Sequence, residues 1–439
     1  MARPGGGPGL RREIGFTGSA FLSFSGMVGA GIFALPGTLH AQFGAFSPWL
    51  FPIFGLLFML IALPFARLAS LHPMSGGPVA YTAPFGPLVS FQAGWLYYLA
   101  RITALAANAN VFATYAASLW PPLGGIAGRV ATIALLIGAI TWINMVGVRR
   151  AVRVLDLLTL LKALPLIILA IWGLAHSAGS WPPSGPPPPL SAMEAAALII
   201  LYAFVGFENS VVPAEETANA RRTIPRALIV TLVSTASLYF LIQLAYVAVM
   251  PDGPAPAAPL AAFAEALIGP AGAVILIATA LASIAGNLTG SMTATPRVTY
   301  ALAGQGSLPA WFGRISARWA TPANSILFMG LAAIALGISG SFVWLAIVST
   351  LARLFVYAGS IAALPKVERP GAGTWALIVA ALAVCGWAAA QSEWKSWAML
   401  GGLVAAGCVL YALARRQAGS SSAATVSSIQ PPPSTRSPS

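Results

Sequence analysis

Gly26-Met27-Val28-Gly29-Ala30-Gly31-Ile32-Phe33 lies inside one long apolar run, and Ala203-Phe204-Val205-Gly206-Phe207-Glu208-Asn209-Ser210 lies inside another. Each run is close to the roughly 20 residues that span a bilayer as a helix. Each carries glycine near its middle, and glycine costs about 1 kcal/mol against alanine in a helix interior. The pair predicts two helices that lose their winding at similar depths.

The rest of the chain has to supply a membrane around them. Of its 439 residues, 58% are hydrophobic and only 8% charged. A water-soluble domain carries roughly a quarter charged residues, so this chain cannot cover itself in water. Many of its 44 Gly and 35 Pro fall inside apolar runs, a placement that neighbouring membrane helices tolerate. Cys385 and Cys408 have no metal-ligand spacing and imply no disulfide framework. Arg11 and Arg12 precede the first apolar run, but that run is full length without a small-residue cleavage site, so an uncleaved first helix is expected.

Reading for spans gives twelve: 16–36, 45–66, 88–117, 128–147, 153–176, 193–213, 225–250, 270–296, 323–338, 342–364, 374–391 and 396–414. The fold class is therefore all-α integral membrane. With the N-terminus inside, eighteen of the 23 Lys and Arg fall on the cytoplasmic side. Arg129 and Lys395 fall outside, and Arg101, Lys162 and Arg353 fall within spans. This asymmetry is the positive-inside bias. It predicts a multi-pass protein of the cell membrane with both termini cytoplasmic, and it accounts for the net charge of +13 without nucleic acid. Residues 1–15 read as a cytoplasmic N-terminus, 16–414 as the membrane domain and 415–439 as a disordered cytoplasmic tail. The Pro-rich segment 177–191 reads as a stiff external connector, and 72–87 as a broken segment at the cytoplasmic face.

Helices 1 and 6 are five apart and so cross in opposite directions. That predicts inverted repeats of five helices each, about 16–176 and 193–364, with a small-molecule site where the two breaks meet. Unwinding frees N–H groups around Ala30 to Phe33 and carbonyls around Ala203 to Val205. The first suit a carboxylate and the second an ammonium, so a zwitterionic α-amino acid is the predicted ligand. The plain alternative is that glycine patches serve helix packing.

Ionisable groups at membrane depth mark function or pairing. Lys162 lies roughly 13 Å along helix 5 from Arg153, at 1.5 Å per residue. Desolvation penalises its charged form, making it a candidate for proton uptake and release; a fixed cation that satisfies the carbonyls of broken helix 1 is the alternative. Glu208 is expected to pair with Arg101 or Lys162, to sense protons, or to bond within the helix 6 break. Structural pairing is expected for Arg101 and Arg353. Glu215 and Glu216 with Arg221, Arg222 and Arg226 form either a gating network or a solvated loop. His40, His72 and His176 are scattered, and HExxH, P-loop and nucleophile-elbow patterns are missing, so neither an enzyme nor a bound cofactor or metal is expected.

GMVGAGIFALPG at 26–37 resembles the helix 1 signature of the amino acid–polyamine–organocation superfamily. So do HPMSGGPVAYTAPFGPLVSFQAGWLYY at 72–98, AFVGFENSVVPAEETANARRTIPRAL at 203–228 and RVTYALAGQGSLPAWF at 297–312, and the likeness covers nearly all of 10–415. The resemblance implies the inverted-repeat transporter fold with the helices of 374–414 added, and a substrate held by two segments. These are Val28, Gly29, Ala30, Gly31, Ile32 and Phe33 on helix 1, and Ala203, Phe204, Val205, Gly206, Phe207 and Glu208 on helix 6. Lys162 matches the lysine that, in proton-coupled members, stands where others bind sodium, which implies sodium independence. The context of Arg101, YYLARITALAANAN, is similar to some bacterial permeases and light-chain-type exchangers, and implies no role. The expected function is secondary active amino acid transport by alternating access, coupled to protons. Exchange without proton coupling, polyamine or organic cation transport, and a membrane sensor or channel are the rivals. Asn108, Ser283 and Asn287 are candidates to shape the side-chain pocket.

Overall fold

The computed structural model describes residues 14–71, 77–147, 151–177, 185–211 and 214–427, with the side chains of all but 151–161, 215 and 418–427. Residues 1–13, the loop arginines Arg149 and Arg150, the side chains of Arg153, Asp156 and Glu215, and 428–439 at the end of the expected tail lie outside this set, as do parts of the segments at 72–87 and 177–191.

In chain order the helices are α1 Phe16–Met27, α2 Ala30–Phe43, α3 Ser47–Leu71, α4 Pro78–Thr82, α5 Pro87–Leu119, α6 Ile126–Val146, α7 Ala151–His176 and α8 Leu190–Tyr202. They continue with α9 Ala220–Val249, α10 Pro259–Ile268, α11 Pro270–Ala294, α12 Pro296–Gly304, α13 Ala323–Ser339, α14 Phe342–Val367, α15 Ala372–Ala390 and α16 Trp394–Ser427. Among the described residues the only β pairing is an isolated bridge between Ile14 and Thr217. Eight helical stretches of these residues are long and apolar enough to cross a membrane.

Burial divides these elements into an inner and an outer set. The stretch beginning with α8 has 67% of its most apolar window buried, whereas α6 has 22% and α16 has 17%. Leu56, Leu135, Trp142, Ile171, Val379 and Trp394 are large apolar side chains left exposed, which suits lipid as the surrounding solvent. Inside, α3 packs along α9, α5 along α14, and α7 along both α9 and α11. Prolines sit within α2, α3, α7, α9 and α14 without ending them.

Helix 1 breaks where its glycines predict. α1 ends at Met27, Val28 and Gly29 are not helical, and α2 starts at Ala30. Helix 6 differs from expectation. After α8 ends at Tyr202, the chain forms a turn and two 3₁₀ pieces, Phe207–Ser210 and Ala214–Glu216, in place of a second α-helical half. Asn209, Ser210 and two valines followed by Pro213 are poor helix formers, so winding does not resume. The last helix also differs: it runs to Ser427, where disorder was expected from 415. Arg415, Arg416, Gln417 and Ala418 continue it as good helix formers. α10 and α12 fall in segments read as loop, each with proline in its first turn and each too short to span.

Candidate functional site

The two breaks meet. A Cβ built on Gly26 would approach the Gly206 carbonyl oxygen to 2.5 Å, and one on Gly31 would come within 3.3 Å of Ala203 Cα. Gly206 has φ +113°, a left-handed conformation that favours glycine. From α1, Ser23 Oγ donates to the Phe207 carbonyl at 2.6 Å and lies at hydrogen-bond distance, 2.8 Å, from Ser210 Oγ, tying the two interrupted segments together.

The carbonyls at the end of α1 need partners, since the last four of any helix lack them. Lys162 Nζ donates to the Ser25 carbonyl at 3.0 Å, to Ser25 Oγ at 2.9 Å and to the Val28 carbonyl at 3.2 Å. Asn287 Nδ2 donates to the carbonyls of Ser25 and Gly26 at 2.9 and 3.1 Å, and Tyr239 OH donates to that of Met27 at 3.0 Å. Across the gap, Asn108 Oδ1 accepts the first N–H of α2, from Ala30, at 2.8 Å. Lys162 therefore faces helix 1, and Glu208 finds other partners.

Glu208 is fully buried. Its Oε2 accepts the Gly206 N–H at 3.0 Å and Tyr357 OH at 3.0 Å. Its Oε1 lies 3.4 Å from Arg353 Nε and 3.8 Å from Arg101 Nη2. Arg101 also donates from Nε and Nη2 to Tyr97 OH, at 3.2 and 2.9 Å, and from Nη2 to Asn209 Oδ1. Arg353 Nη1 donates to Ser349 Oγ at 2.6 Å. Of the alternatives for Glu208, pairing with Arg101 and bonding within the break are both present, while Arg353 takes the place considered for Lys162.

A space of about 20 Å³ lies between these groups, room for about one water. Among the predicted contacts, Gly29, Ala30, Gly31 and Val205 line it, as do Asn108 and Asn287 of the pocket candidates. Arg101, Arg353, Tyr202 and Ser291 complete its polar wall. Val28, Ile32, Ala203, Gly206 and Glu208 stand outside the lining, and so does Ser283, which is buried. Three predicted aromatic residues pack elsewhere: Phe33 on Tyr115, Phe204 on Phe51, Phe58 and Tyr239, and Phe207 on Phe58, Phe65 and Tyr357. Tyr97, Tyr202 and Asn209 went unnoticed in the sequence because uncharged polar side chains in an apolar run carry no pattern of their own. Arg353 was noticed, but nothing local names a partner 145 positions earlier in the chain.

The amino acid permease family profile matches residues 14–415. The large neutral amino acids transporter small subunit 2 of Homo sapiens is 28% identical over 346 residues, covering 74% of this chain and 64% of that protein. The Mus musculus protein of the same name gives the same values. This chain thus matches somewhat less than two thirds of those relatives' length. An uncharacterized transporter of Mycobacterium tuberculosis is 28% identical over 339 residues, covering 74% of each chain. With a match that runs almost end to end and includes both interrupted helices, the chain belongs to the amino acid permease family of the amino acid–polyamine–organocation superfamily.

Proposed function

We propose that this chain is a secondary active transporter that moves amino acids across the cell membrane by alternating access. The observation that carries this reading is the contact of two interrupted helices, α1–α2 and α8, around a small polar space deep in the helices. The N–H groups in the first turn of α2, from Gly31 to Phe33, lack intrahelical partners and would receive the substrate carboxylate. Carbonyls of the turn from Ala203 to Val205 would receive its ammonium. Val28 and Gly206 would hold the two gaps open, while Ile32, Phe33, Phe204, Phe207 and Glu208 would brace them.

In this reading the chain makes twelve crossings, ten of them in two inverted repeats at about 16–176 and 193–364, with both termini cytoplasmic and the extra helices at 374–414 outside the repeats. The element order supports it. A broken helix, a long helix, a short helix and a further long helix occur as α1–α2, α3, α4, α5 and again as α8, α9, α10, α11. The packing supports it too: α5 of the first repeat against α14 of the second has its counterpart in α11 of the second against α7 of the first.

Transport is sodium-independent in this reading, because the Lys162 ammonium fills the place between Ser25 and Val28 where a cation would bind freed carbonyls. Loss of its proton would leave two donors for three acceptors, remove the charge and loosen the break, so protonation and gating are linked. Exchange without proton coupling is the second reading. It draws on the match between three ammonium donors and three acceptors, an arrangement suited to a permanent charge. A polyamine or other organic cation fits poorly, since Glu208, the one deep carboxylate among the described residues, stands between two guanidiniums. The test is counterflow in proteoliposomes with labelled amino acids, with and without a pH gradient. Saturable counterflow supports transport over a channel or sensor, accumulation driven by the gradient supports coupling, and the absence of both would sink the proposal.

A further inference from the structure

We infer that the preferred substrate is an amino acid with a second carboxylate, of about aspartate or glutamate size. The inference rests on the transporter reading above and adds the class of side chain.

The charges around the cavity carry it. Arg101 and Arg353 line the same space as Gly29, Ala30 and Gly31, and they are only 4% and 1% exposed. Among the described residues, Glu208 is the one carboxylate within 4 Å of either guanidinium. Half of that carboxylate is already committed, since Oε2 accepts from the Gly206 N–H and Tyr357 OH. Arg353 Nε and Glu208 Oε1 face each other at 3.4 Å without the geometry of a hydrogen bond, and neither has another hydrogen-bond partner among the described residues. Lys162 adds a third cation behind the break, with carbonyl and hydroxyl oxygens for partners. Among the described residues three buried cations, Arg101, Lys162 and Arg353, thus stand to one buried carboxylate, Glu208.

A buried charge is tolerated when it is paired. A zwitterion with a neutral side chain brings no net charge and leaves the excess as it stands. A lysine-like side chain would set a third cation against two guanidiniums, which repels it. A second carboxylate brings the missing negative charge to groups whose planar forks match it two bonds at a time. The first turn of α2 and the two guanidiniums sit on the same cavity, so one small dicarboxylate can reach both when the space opens. The α-carboxylate would take the N–H groups and the side-chain carboxylate would take the arginines.

The experiment is counterflow with the purified full chain in proteoliposomes, using labelled glutamate, glutamine, aspartate, asparagine, leucine and lysine. Each acid and its amide match closely in size, so their ratio reads charge alone. The expected result is a kcat/KM at least tenfold higher for an acid than for its amide. Amides or leucine moved as well as the acids would overturn this inference and leave the transporter reading intact. No counterflow by any of the twenty common amino acids would overturn both. In Arg353→Gln and in Arg101→Gln the acid-to-amide ratio should fall at least fivefold, while Arg353→Lys should keep part of it. Taken within each folded variant, the ratio does not depend on the amount of active protein, and a ratio unchanged in both variants would overturn the assignment. Should either variant fail to fold, the wild-type ratio decides.

Discussion

The Gly206 backbone lies against the carbonyl oxygen of Gly26, so closely that a Cβ added to Gly206 would overlap that oxygen. Two helices that read as separate apolar runs are joined at the place where neither is wound. Gly206→Ala must also adopt φ +113°, a conformation that costs about 1–3 kcal/mol in a residue with a side chain. It should abolish counterflow and lower the midpoint of thermal unfolding in detergent. Gly402→Ala, in α16 with open space around it, is the control. It should be neutral or stabilising by up to about 1 kcal/mol. Equal behaviour of the two variants would contradict the close approach of the breaks.

Glu208→Gln keeps the shape of the side chain and removes the negative charge from between Arg101 and Arg353. Breaking a buried pair by removing one partner costs on the order of 3–5 kcal/mol. Reversible unfolding in mixed micelles should report that loss. A change below about 1 kcal/mol would mean that water reaches the carboxylate and that the two guanidiniums do not depend on it.

Lys162 can be tested through what its proton does. In Lys162→Ala the Ser25 and Val28 carbonyls lose their shared donor, and counterflow should slow while its dependence on pH disappears. Lys162→Arg restores a permanent cation and should retain exchange that does not vary between about pH 6 and 9. Wild-type transport should slow as pH rises and the ammonium deprotonates. Lys162→Ala with an unchanged pH profile would remove the residue from coupling and favour exchange.

Much of this was legible in the sequence, for identifiable reasons. Three glycines within six residues, Gly26, Gly29 and Gly31, mark the first break because glycine weakens a helix wherever it falls. The long apolar runs mark helices because bilayer thickness fixes their length. The failure of helix 6 to resume was written in Asn209, Ser210 and Pro213, but expected symmetry with helix 1 outweighed it. The partner of Glu208 was not legible. Arg101, Lys162 and Arg353 are three cations in three runs, and the choice among them depends on which faces meet after packing. Similarly, α10 was hidden because ten residues are too few to span and lack a pattern that separates a short helix from a loop.

The last prediction concerns the end of the molecule proposed to face the cytoplasm. Ile14, two residues before α1, donates its N–H to the Glu216 carbonyl at 3.0 Å and accepts from the Ala218 N–H at 2.9 Å. This backbone bridge joins the start of one broken helix to the chain leaving the other, so in the proposed alternating-access cycle it would hold that end shut only while both keep their present spacing. Ile14→Pro removes the donor and leaves the acceptor. Losing one such bond is worth about 0.5–1.5 kcal/mol, enough to raise the open fraction roughly two- to tenfold. Ser291, which lines the central space, offers a reporter as Ser291→Cys after Cys385 and Cys408 are replaced by alanine. Labelling by a membrane-impermeant maleimide in inside-out vesicles should quicken by that factor when Ile14→Pro is added, and right-side-out vesicles should show slower labelling. Equal rates in both orientations would mean that the bridge ornaments a gate held closed by other contacts.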